Sequence, residues 1–253
     1  DNPDGTDPPV DDGGGDGGGG GGGNDGGPCA VTIAQDITIP TRLSETGSDC
    51  DYLIGDGNSI ITVSSTLTID PGVRIKFFKD TLFDIDGGEL IAVGRADARI
   101  ILQGQSPIQG FWDGITLSMQ AGRVQLEYVD ISDAGQVCTV EFCPDAALFS
   151  FGGGQLTLKN SSISNSYVNG AVLDDELVAF ANNRFFNNRW NGLVISADKV
   201  ALLDAASDYT GGDQPNGGPY VALITGSTMA HAATWPRLGA PYLISGYIGV
   251  EAR

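Results

Sequence analysis

An internal repeat is the feature that most restricts the folds open to this chain. Residues 156–173 match residues 178–195 position by position, and the matched positions keep their apolar or amide character. The same offset of 22 reaches forward to Val200 and Asp204, whereas the backward match to Val124 needs an offset of 32. A repeat that accepts a ten-residue insertion without losing its phase predicts stacked coils with their loops on the outside.

Short runs of alternating apolar and polar residues fill each repeat. Examples are Leu126-Glu-Tyr128 and Leu156-Thr-Leu158, and turn residues such as Asn191-Gly192 separate the runs. A period of two over three to five residues indicates strands. Strands in a coil of about 22 residues predict an all-β fold, the parallel β-helix. The expected core residues are Leu156, Leu158, Ile163, Val178, Phe180, Phe185, Val200 and Leu202.

Polar residues recur at two positions of the repeat, which predicts two side-chain ladders. Stacked coils lie about 4.8 Å apart, so equivalent amides and carboxylates come within hydrogen-bond reach. Such ladders are expected to satisfy buried turn amides. The predicted members are Asn160, Asn182 and Asp204 in one ladder and Asp133, Asn165 and Asn187 in the other.

The N-terminal segment 1–28 differs in composition from the rest of the chain. Across 253 residues, 13 Lys and Arg face 32 Asp and Glu, which gives a net charge of −19. Residues 1–28 hold thirteen glycines and seven aspartates, and their one aliphatic side chain is Val10. Such a segment buries too little apolar surface to order, so we predict a disordered acidic tether before a β-helix domain at 29–253. The acidic balance argues against nucleic-acid binding, and no apolar run is long enough to span a bilayer.

Four cysteines allow three disulfide connectivities. We predict Cys29–Cys50, which bracket the first ordered segment, and Cys138–Cys143, which flank a short loop. Zinc is the alternative, but the sequence lacks a Cys-x-x-Cys pair and His231 is its single histidine. Disulfides indicate an oxidising compartment.

A second similarity links the two ends of the domain. Pro40–Leu43 followed by Tyr52–Gly55 is similar to Trp235–Leu238 followed by Tyr242–Gly246. The later strip predicts either the start of a second module or a C-terminal cap at about residues 235–253. A β-solenoid needs such a cap because an uncapped stack exposes strand edges.

Several segments resemble one known group of proteins. The segments are Leu67-Thr-Ile-Asp-Pro-Gly-Val-Arg-Ile-Lys-Phe77, Glu89-Leu-Ile-Ala-Val-Gly94, Phe111-Trp-Asp-Gly-Ile115 and Glu127-Tyr-Val-Asp-Ile131. They look like the right-handed parallel β-helix repeat proteins of bacterial envelopes, over about residues 30–250. The resemblance implies a right-handed helix and a location at the cell surface. It supplies no catalytic motif to transfer.

A Gly- and Asp-rich tether before a cysteine-bearing β domain is similar to the mature part of a bacterial surface lipoprotein. The lipidated cysteine would then precede Asp1, and this anchor would be the only contact with the membrane. We therefore predict an extracellular or outer-membrane protein that is not catalytic. It would act as a structural or adhesion module, with a polysaccharide or another surface protein as its partner.

The alternative is a β-helix that binds or cleaves carbohydrate. Asp174-Asp175-Glu176 resembles the paired aspartates of polygalacturonases, but the Asn-Thr-Asp and Gly-His-Gly motifs of that family are absent. Arg74-Ile-Lys76 lies in a strand of plain alternation, which predicts an outward face. In this alternative the acidic cluster and Trp112 contact sugar in a groove formed by insertions at 136–147 and 174–176.

Oxygen ligands for calcium form a last candidate. No pair of the candidate aspartates has the spacing of a calcium-binding loop, so the sequence predicts no cofactor. Trp190 and Trp235 are expected to pack in the core or in a cap. The candidate calcium ligands are Asp84, Asp86, Asp130 and Asp133.

Overall fold

The structure is a computed structural model. It describes residues 28–136, 145–151, 153–174 and 176–251. The predicted tether, apart from Pro28, lies outside the described residues, as do Cys138, Cys143 and Asp175.

The described chain is almost entirely β, and three parallel sheets contain most of its strands. Sheet A contains β1 (Val31–Ile33), β3 (Tyr52–Ile54), β6 (Arg74–Phe77), β9 (Ile100–Gly104), β12 (Val129–Ser132), β15 (Ser162–Ser164) and β18 (Arg184–Phe186). Sheet B contains β4 (Ser59–Val63), β7 (Thr81–Ile85), β10 (Gly114–Leu117), β13 (Ala146–Ser150), β16 (Asn169–Leu173), β19 (Asn191–Ile195), β20 (Gly218–Leu223) and β22 (Tyr242–Leu243). Sheet C contains β2 (Thr41–Leu43), β5 (Thr66–Ile69), β8 (Glu89–Val93), β11 (Arg123–Glu127), β14 (Gln155–Lys159) and β17 (Glu176–Ala181).

Two further elements complete the described chain. The short strands β21 (Thr228–Met229) and β23 (Gly249–Val250) pair with each other in parallel. A 3-10 helix at Val200–Leu202 follows β19, at the place in the chain where the next sheet C strand would be expected.

The chain visits sheets A, B and C in turn, and we call one such visit to all three a pass. Equivalent residues of successive passes pair directly: Ile131 pairs with Ile163 and Ile163 with Phe185. The first pair has the longer offset of the repeat and the second pair the shorter one, so both predicted offsets are confirmed as strand register. The all-β prediction is confirmed, and the long parallel sheets are compatible with a parallel β-helix.

Buried apolar side chains from all three sheets form one hydrophobic cluster. The prediction of the core is confirmed at six positions: Leu156, Leu158, Ile163, Phe180, Phe185 and Val200.

The predicted core positions Val178 and Leu202 are wrong. Val178 is 54% exposed because β17 bulges at this residue: Leu156 pairs with Leu177, whereas Thr157 pairs with Ala179. Leu202 is 44% exposed because it ends the 3-10 helix rather than lying in an alternating strand.

Both predicted polar ladders are present. Asn165 Nδ2 donates to Asp133 Oδ1 at 2.7 Å, and Asn187 Nδ2 donates to Asn165 Oδ1 at 3.0 Å. In the other ladder, Asn182 donates from Nδ2 to Asn160 Oδ1 and from its backbone N–H to Asp204 Oδ2. Five ladder residues have a left-handed backbone, with φ of 51° to 64°, which places their side chains at the corners of the sheets. They are Asn160, Asn182, Asp133, Asn165 and Asn187.

The buried turn amides are satisfied by a different set of residues, each one position later in the repeat. Asn183 accepts from the Ser161 N–H, and Asn188 accepts from the Ser166 N–H, both at 3.1 Å. Each of these asparagines also donates to a strand carbonyl of the preceding pass and is almost fully buried. Apart from the buried Asp133, the outer ladders therefore join exposed or half-buried side chains, while the inner asparagines supply the hydrogen bonds of the buried turn amides.

The two ends of the described stack differ. Near the N-terminal end, Cys29 and Cys50 form a disulfide. The two similar strips occupy different sheets, since Tyr52 belongs to β3 in sheet A and Tyr242 to β22 in sheet B. Both tyrosines nevertheless donate a hydrogen bond from their hydroxyl to a backbone carbonyl a few residues earlier, Tyr52 to Ser44 and Tyr242 to Pro236.

The described residues include no helix with the length and hydropathy of a membrane span.

Candidate functional site

Trp112 is not available to a sugar. Its indole is fully buried and lies flat on the Phe77 ring, with centroids 3.8 Å apart and planes 4° apart. Its Nε1 donates to the Ser132 carbonyl at 2.8 Å. The prediction that Trp112 contacts carbohydrate is therefore wrong, because the connection after β9 turns this side chain into the core.

The structure describes two of the three residues of the acidic cluster. Asp174 is half-buried and accepts a hydrogen bond from the Ser196 hydroxyl. Glu176 is exposed and accepts from Gln155 Nε2 at 3.1 Å. Asp175 lies outside the described residues.

Most of the first predicted insertion lies outside the described residues, as does Asp175 of the second. Asp145, within the first insertion, directly precedes sheet B strand β13, whereas Asp174 follows the end of the neighbouring sheet B strand β16. The two places are thus separated by a five-residue strand, about 17 Å long at roughly 3.3 Å per residue. The groove that would combine the two insertions stays a prediction.

The candidate calcium ligands make protein contacts instead. Asp130 accepts from both Nε and Nη2 of Arg99, at 2.7 and 2.6 Å. Asp84 accepts from the Ser118 hydroxyl, and burial raises the pKa of Asp84. Among the described residues, no three His, Cys, Asp or Glu side chains lie close enough together to hold a metal ion. The predicted Cys138–Cys143 pair lies outside the part that the structure describes.

Long connections are concentrated where the chain passes from sheet A to sheet B, and we call this place the A–B corner. Three of its connections are long: nine residues at 105–113, thirteen at 133–145 and nine at 209–217. Between them in the stack lie two connections of four residues, 165–168 and 187–190. In repeat folds, insertions that emerge on one side commonly mark the binding face.

Two of the long connections reach the same short one. Gln109 Nε2 donates to the Asn187 carbonyl at 3.0 Å. The Asn187 N–H donates to the Gln214 carbonyl at 2.8 Å. The short connection at 187–190 is therefore held from one side by 105–113 and from the other by 209–217.

Three exposed side chains stand on the short connections, and we call Tyr167, Arg189 and Trp190 the corner surface. The Arg189 guanidinium lies over the Tyr167 ring, 4.1 Å from its centroid. Tyr167 is 37% exposed and Trp190 is 44% exposed. The prediction that Trp190 packs in the core is therefore wrong, although its N–H pairs with the Val168 carbonyl as the repeat required.

The backbone around the corner surface is tightly held. The Tyr167 N–H donates to the carbonyls of Ala134 and Gly135, and Gly110 packs against the Tyr167 side chain. A β-carbon at residue 110 would lie 2.5 Å from Cβ of Tyr167, and φ there is +71°, so only glycine fits. The aromatic ring thus projects from a fixed base.

Arg189 differs from most of the cations of this acidic chain. Most described Lys and Arg side chains pair with a carboxylate: Arg42, Lys79, Arg95, Arg99, Arg123, Lys159, Arg184 and Lys199. Arg189 has no carboxylate within 4 Å among the described residues, although it stacks on an aromatic ring. Arg184 makes the matching stack on Phe186, 4.3 Å from the centroid, but it is also paired with Asp208 and Asp213.

One pair of carboxylates lies on the same corner, in successive passes. Asp80 precedes β7 and Asp113 precedes β10, and burial together with the Asp80 charge raises the pKa of Asp113. Lys79 Nζ lies 3.3 Å from Asp80 Oδ2. The other oxygen of Asp80 is buried without a hydrogen-bond donor among the described residues.

A polar groove of about 440 Å³ lies beside the N-terminal disulfide, and Arg74 and Arg99 line it together with acidic side chains. Several charged side chains that line this groove are already hydrogen-bonded to other groups of the protein. Asp51 accepts from the Thr46 and Arg74 N–H groups, and Arg99 is bound to Asp130. Arg74 is exposed, which confirms the outward face predicted for it.

The corner surface could have been found only partly from the sequence. The longer offset of the repeat shows that an insertion precedes β13, and Tyr167 and Arg189 occupy equivalent positions of two repeats. The sequence does not show which corner carries the insertions, nor that two connections converge on Asn187. No family model matches the chain, and no curated protein or solved structure is significantly similar to it.

Proposed function

We propose that this chain is a right-handed parallel β-helix that acts at the bacterial cell surface as a non-catalytic adhesion module. Its partner would be a polysaccharide or another surface protein. A lipid anchor before Asp1 and the Gly- and Asp-rich segment 1–28 would hold the module outside the cell. The observation that carries the proposal is the exposed corner surface between the long connections of the A–B corner.

The chemistry of the corner surface supports a binding role. Trp, Tyr and Arg are the residues that contribute most to binding where proteins meet large partners. Here all three stand on four-residue connections whose backbone is hydrogen-bonded to neighbouring passes, which reduces the conformational entropy lost on binding. The Cys29–Cys50 disulfide fits an oxidising compartment.

Binding to isolated cell envelopes and to a glycan array tests the adhesion role. We expect the wild-type protein to bind and the double variant Tyr167→Ala/Trp190→Ala to lose most of that binding. Phe151→Ala is the matched control, because Phe151 is also an exposed aromatic residue but follows β13 at the other end of sheet B. Equal binding by the double variant and by the wild type would refute the role of the corner surface.

Mass spectrometry of the native N-terminus tests the anchor separately. A diacylglyceryl cysteine directly before the tether supports the surface location. An N-terminus without it contradicts the lipoprotein part of the proposal.

Asp80 and Asp113 favour a second candidate function, carbohydrate cleavage. A carboxyl group with a raised pKa beside a second carboxylate is the arrangement that glycoside hydrolysis uses. In this candidate Asp113 would donate the proton to the leaving oxygen. A reducing-sugar assay on acidic polysaccharides tests it: activity that Asp113→Asn abolishes supports cleavage, and an inactive wild-type protein removes this candidate.

A further inference from the structure

The ligand of the corner surface can be narrowed by its charge and shape, and this inference rests on the proposed binding function. We propose that Tyr167, Arg189 and Trp190 bind a carboxylate-bearing glycan. The carboxylate would sit on the Arg189 guanidinium, and a sugar ring would pack on the exposed indole of Trp190.

Charge complementarity indicates the carboxylate. Arg189 is exposed and has no carboxylate partner in the described part of a chain that has 32 acidic residues. The Tyr167 ring lies 4.1 Å from the centre of the guanidinium, and the guanidinium donates no hydrogen bond to the described residues. A planar guanidinium held in this way matches the two oxygens of a carboxylate.

The surroundings favour a glycan over a peptide. Peptides commonly bind by adding a strand to an open sheet edge or by laying a helix in an apolar groove. The corner surface lies at neither, because β16 and β19 already pair with strands on both sides. It instead offers an exposed indole beside the amide ladder of Asn169 and Asn191, where Asn191 Nδ2 donates to Asn169 Oδ1 at 3.1 Å.

Spacing supports the same ligand class. Successive passes lie about 4.8 Å apart, which is close to the length of one sugar ring. Arg189 and Trp190 belong to one pass and Tyr167 to the pass before it. A chain of sugars that runs along the stack would therefore meet Tyr167 and Trp190 with neighbouring rings, and the Arg189 guanidinium, which lies over the Tyr167 ring, stands at the first of these positions.

Titration calorimetry with a uronate polymer tests the inference, with the same polymer after reduction of its carboxyl groups as the comparison. The protein carries a net charge of −19, which repels a polyanion at low salt. The buffer therefore contains about 0.15 M salt, which screens charges that lie more than about 8 Å apart. We expect the uronate polymer to bind roughly tenfold more tightly than the reduced polymer, as a charge-assisted pair allows.

Three variants separate the contributions. Arg189→Gln is expected to remove the preference for the uronate polymer, whereas Trp190→Ala weakens binding to both polymers. Arg184→Gln is the matched control: it removes an arginine that also stacks on an aromatic ring but is already ion-paired, so binding stays unchanged. Circular dichroism verifies that each variant is folded.

Each other outcome contradicts the inference in a distinguishable way. Equal binding of the two polymers through Trp190 overturns the carboxylate but leaves the proposed binding function standing. Binding of poly-glutamate in place of both polymers overturns the glycan class. Failure of every polymer overturns the inference, and failure of the envelope assay as well overturns the proposed function.

Discussion

Trp112 is the residue for which the structure makes its largest stability prediction. The indole is fully buried, stacks on Phe77 and donates to the Ser132 carbonyl at 2.8 Å. Burying an aromatic side chain removes about 150–250 Å² from water, which corresponds to about 4–6 kcal/mol at 25 cal/mol per Å². Residual burial in the unfolded chain lowers this value by roughly a quarter, and the hydrogen bond adds about 1 kcal/mol.

We therefore expect Trp112→Ala to lower the free energy of unfolding by about 4 kcal/mol, within the range of about 3–5 kcal/mol for large aromatic truncations. Trp112→Phe keeps the stack on Phe77 but leaves the Ser132 carbonyl without its donor, which costs about 1–2 kcal/mol. Urea denaturation followed by circular dichroism measures both changes.

Trp190→Ala is the matched control, because Trp190 is 44% exposed and makes no side-chain hydrogen bond in the described structure. Its effect on unfolding should stay below about 1 kcal/mol. The reasoning is refuted if Trp112→Ala costs less than about 1 kcal/mol, or if the two tryptophan variants are equally destabilised.

The disulfide and the corners give three further predictions. Cys29→Ser/Cys50→Ser opens a loop with a sequence separation of 21 and should cost about 3 kcal/mol in urea denaturation; no loss would contradict the constraint. Burial raises the pKa of Asp133, so the folded state holds this proton to higher pH than the unfolded chain, and stability falls as pH rises from about 3.9 to the folded-state pKa. Asp133→Asn should flatten that fall in a series of melting temperatures against pH, and an unchanged slope would contradict it. Asn188→Ala leaves a buried N–H and a carbonyl unpaired and should cost about 2–4 kcal/mol, whereas Asn187→Gly, which keeps the left-handed backbone, should cost less than about 1 kcal/mol. Equal losses in the two asparagine variants, measured by urea denaturation, would contradict the distinction between inner and outer amides.

The register of the fold could be predicted because the repeat is enforced by direct contact. Asn165 lies between Asp133 and Asn187, and each side chain must bond to the same atoms one pass away. A substitution at such a position removes hydrogen bonds to two neighbouring passes. The polar residue therefore recurs at this position of the repeat. The two offsets of the repeat therefore predicted strand partners as well as strands.

The prediction failed where a side chain had two acceptable environments. Leu177 and Val178 are adjacent and both apolar, so the amino-acid sequence does not show which of the two side chains faces the core. The bulge in β17 turns Leu177 inward and Val178 outward. Val168 and Trp190 occupy the same corner position, but the valine is buried and the larger indole stays outside.

The same reasoning explains where function can be placed in this chain. Positions within the three sheets are restricted by the passes above and below them, so they carry information on the fold. The connections at 105–113 and 209–217 escape that restriction, because each is longer than the connection of one adjoining pass, three residues at 78–80 and four at 187–190. They nevertheless converge on Asn187 by specific hydrogen bonds, which a connection free of constraint would not need. Two positions later, Arg189 has no carboxylate partner among the described residues of a chain rich in carboxylates. Departures from the repeat that are held this firmly are therefore the places where we propose that a ligand binds.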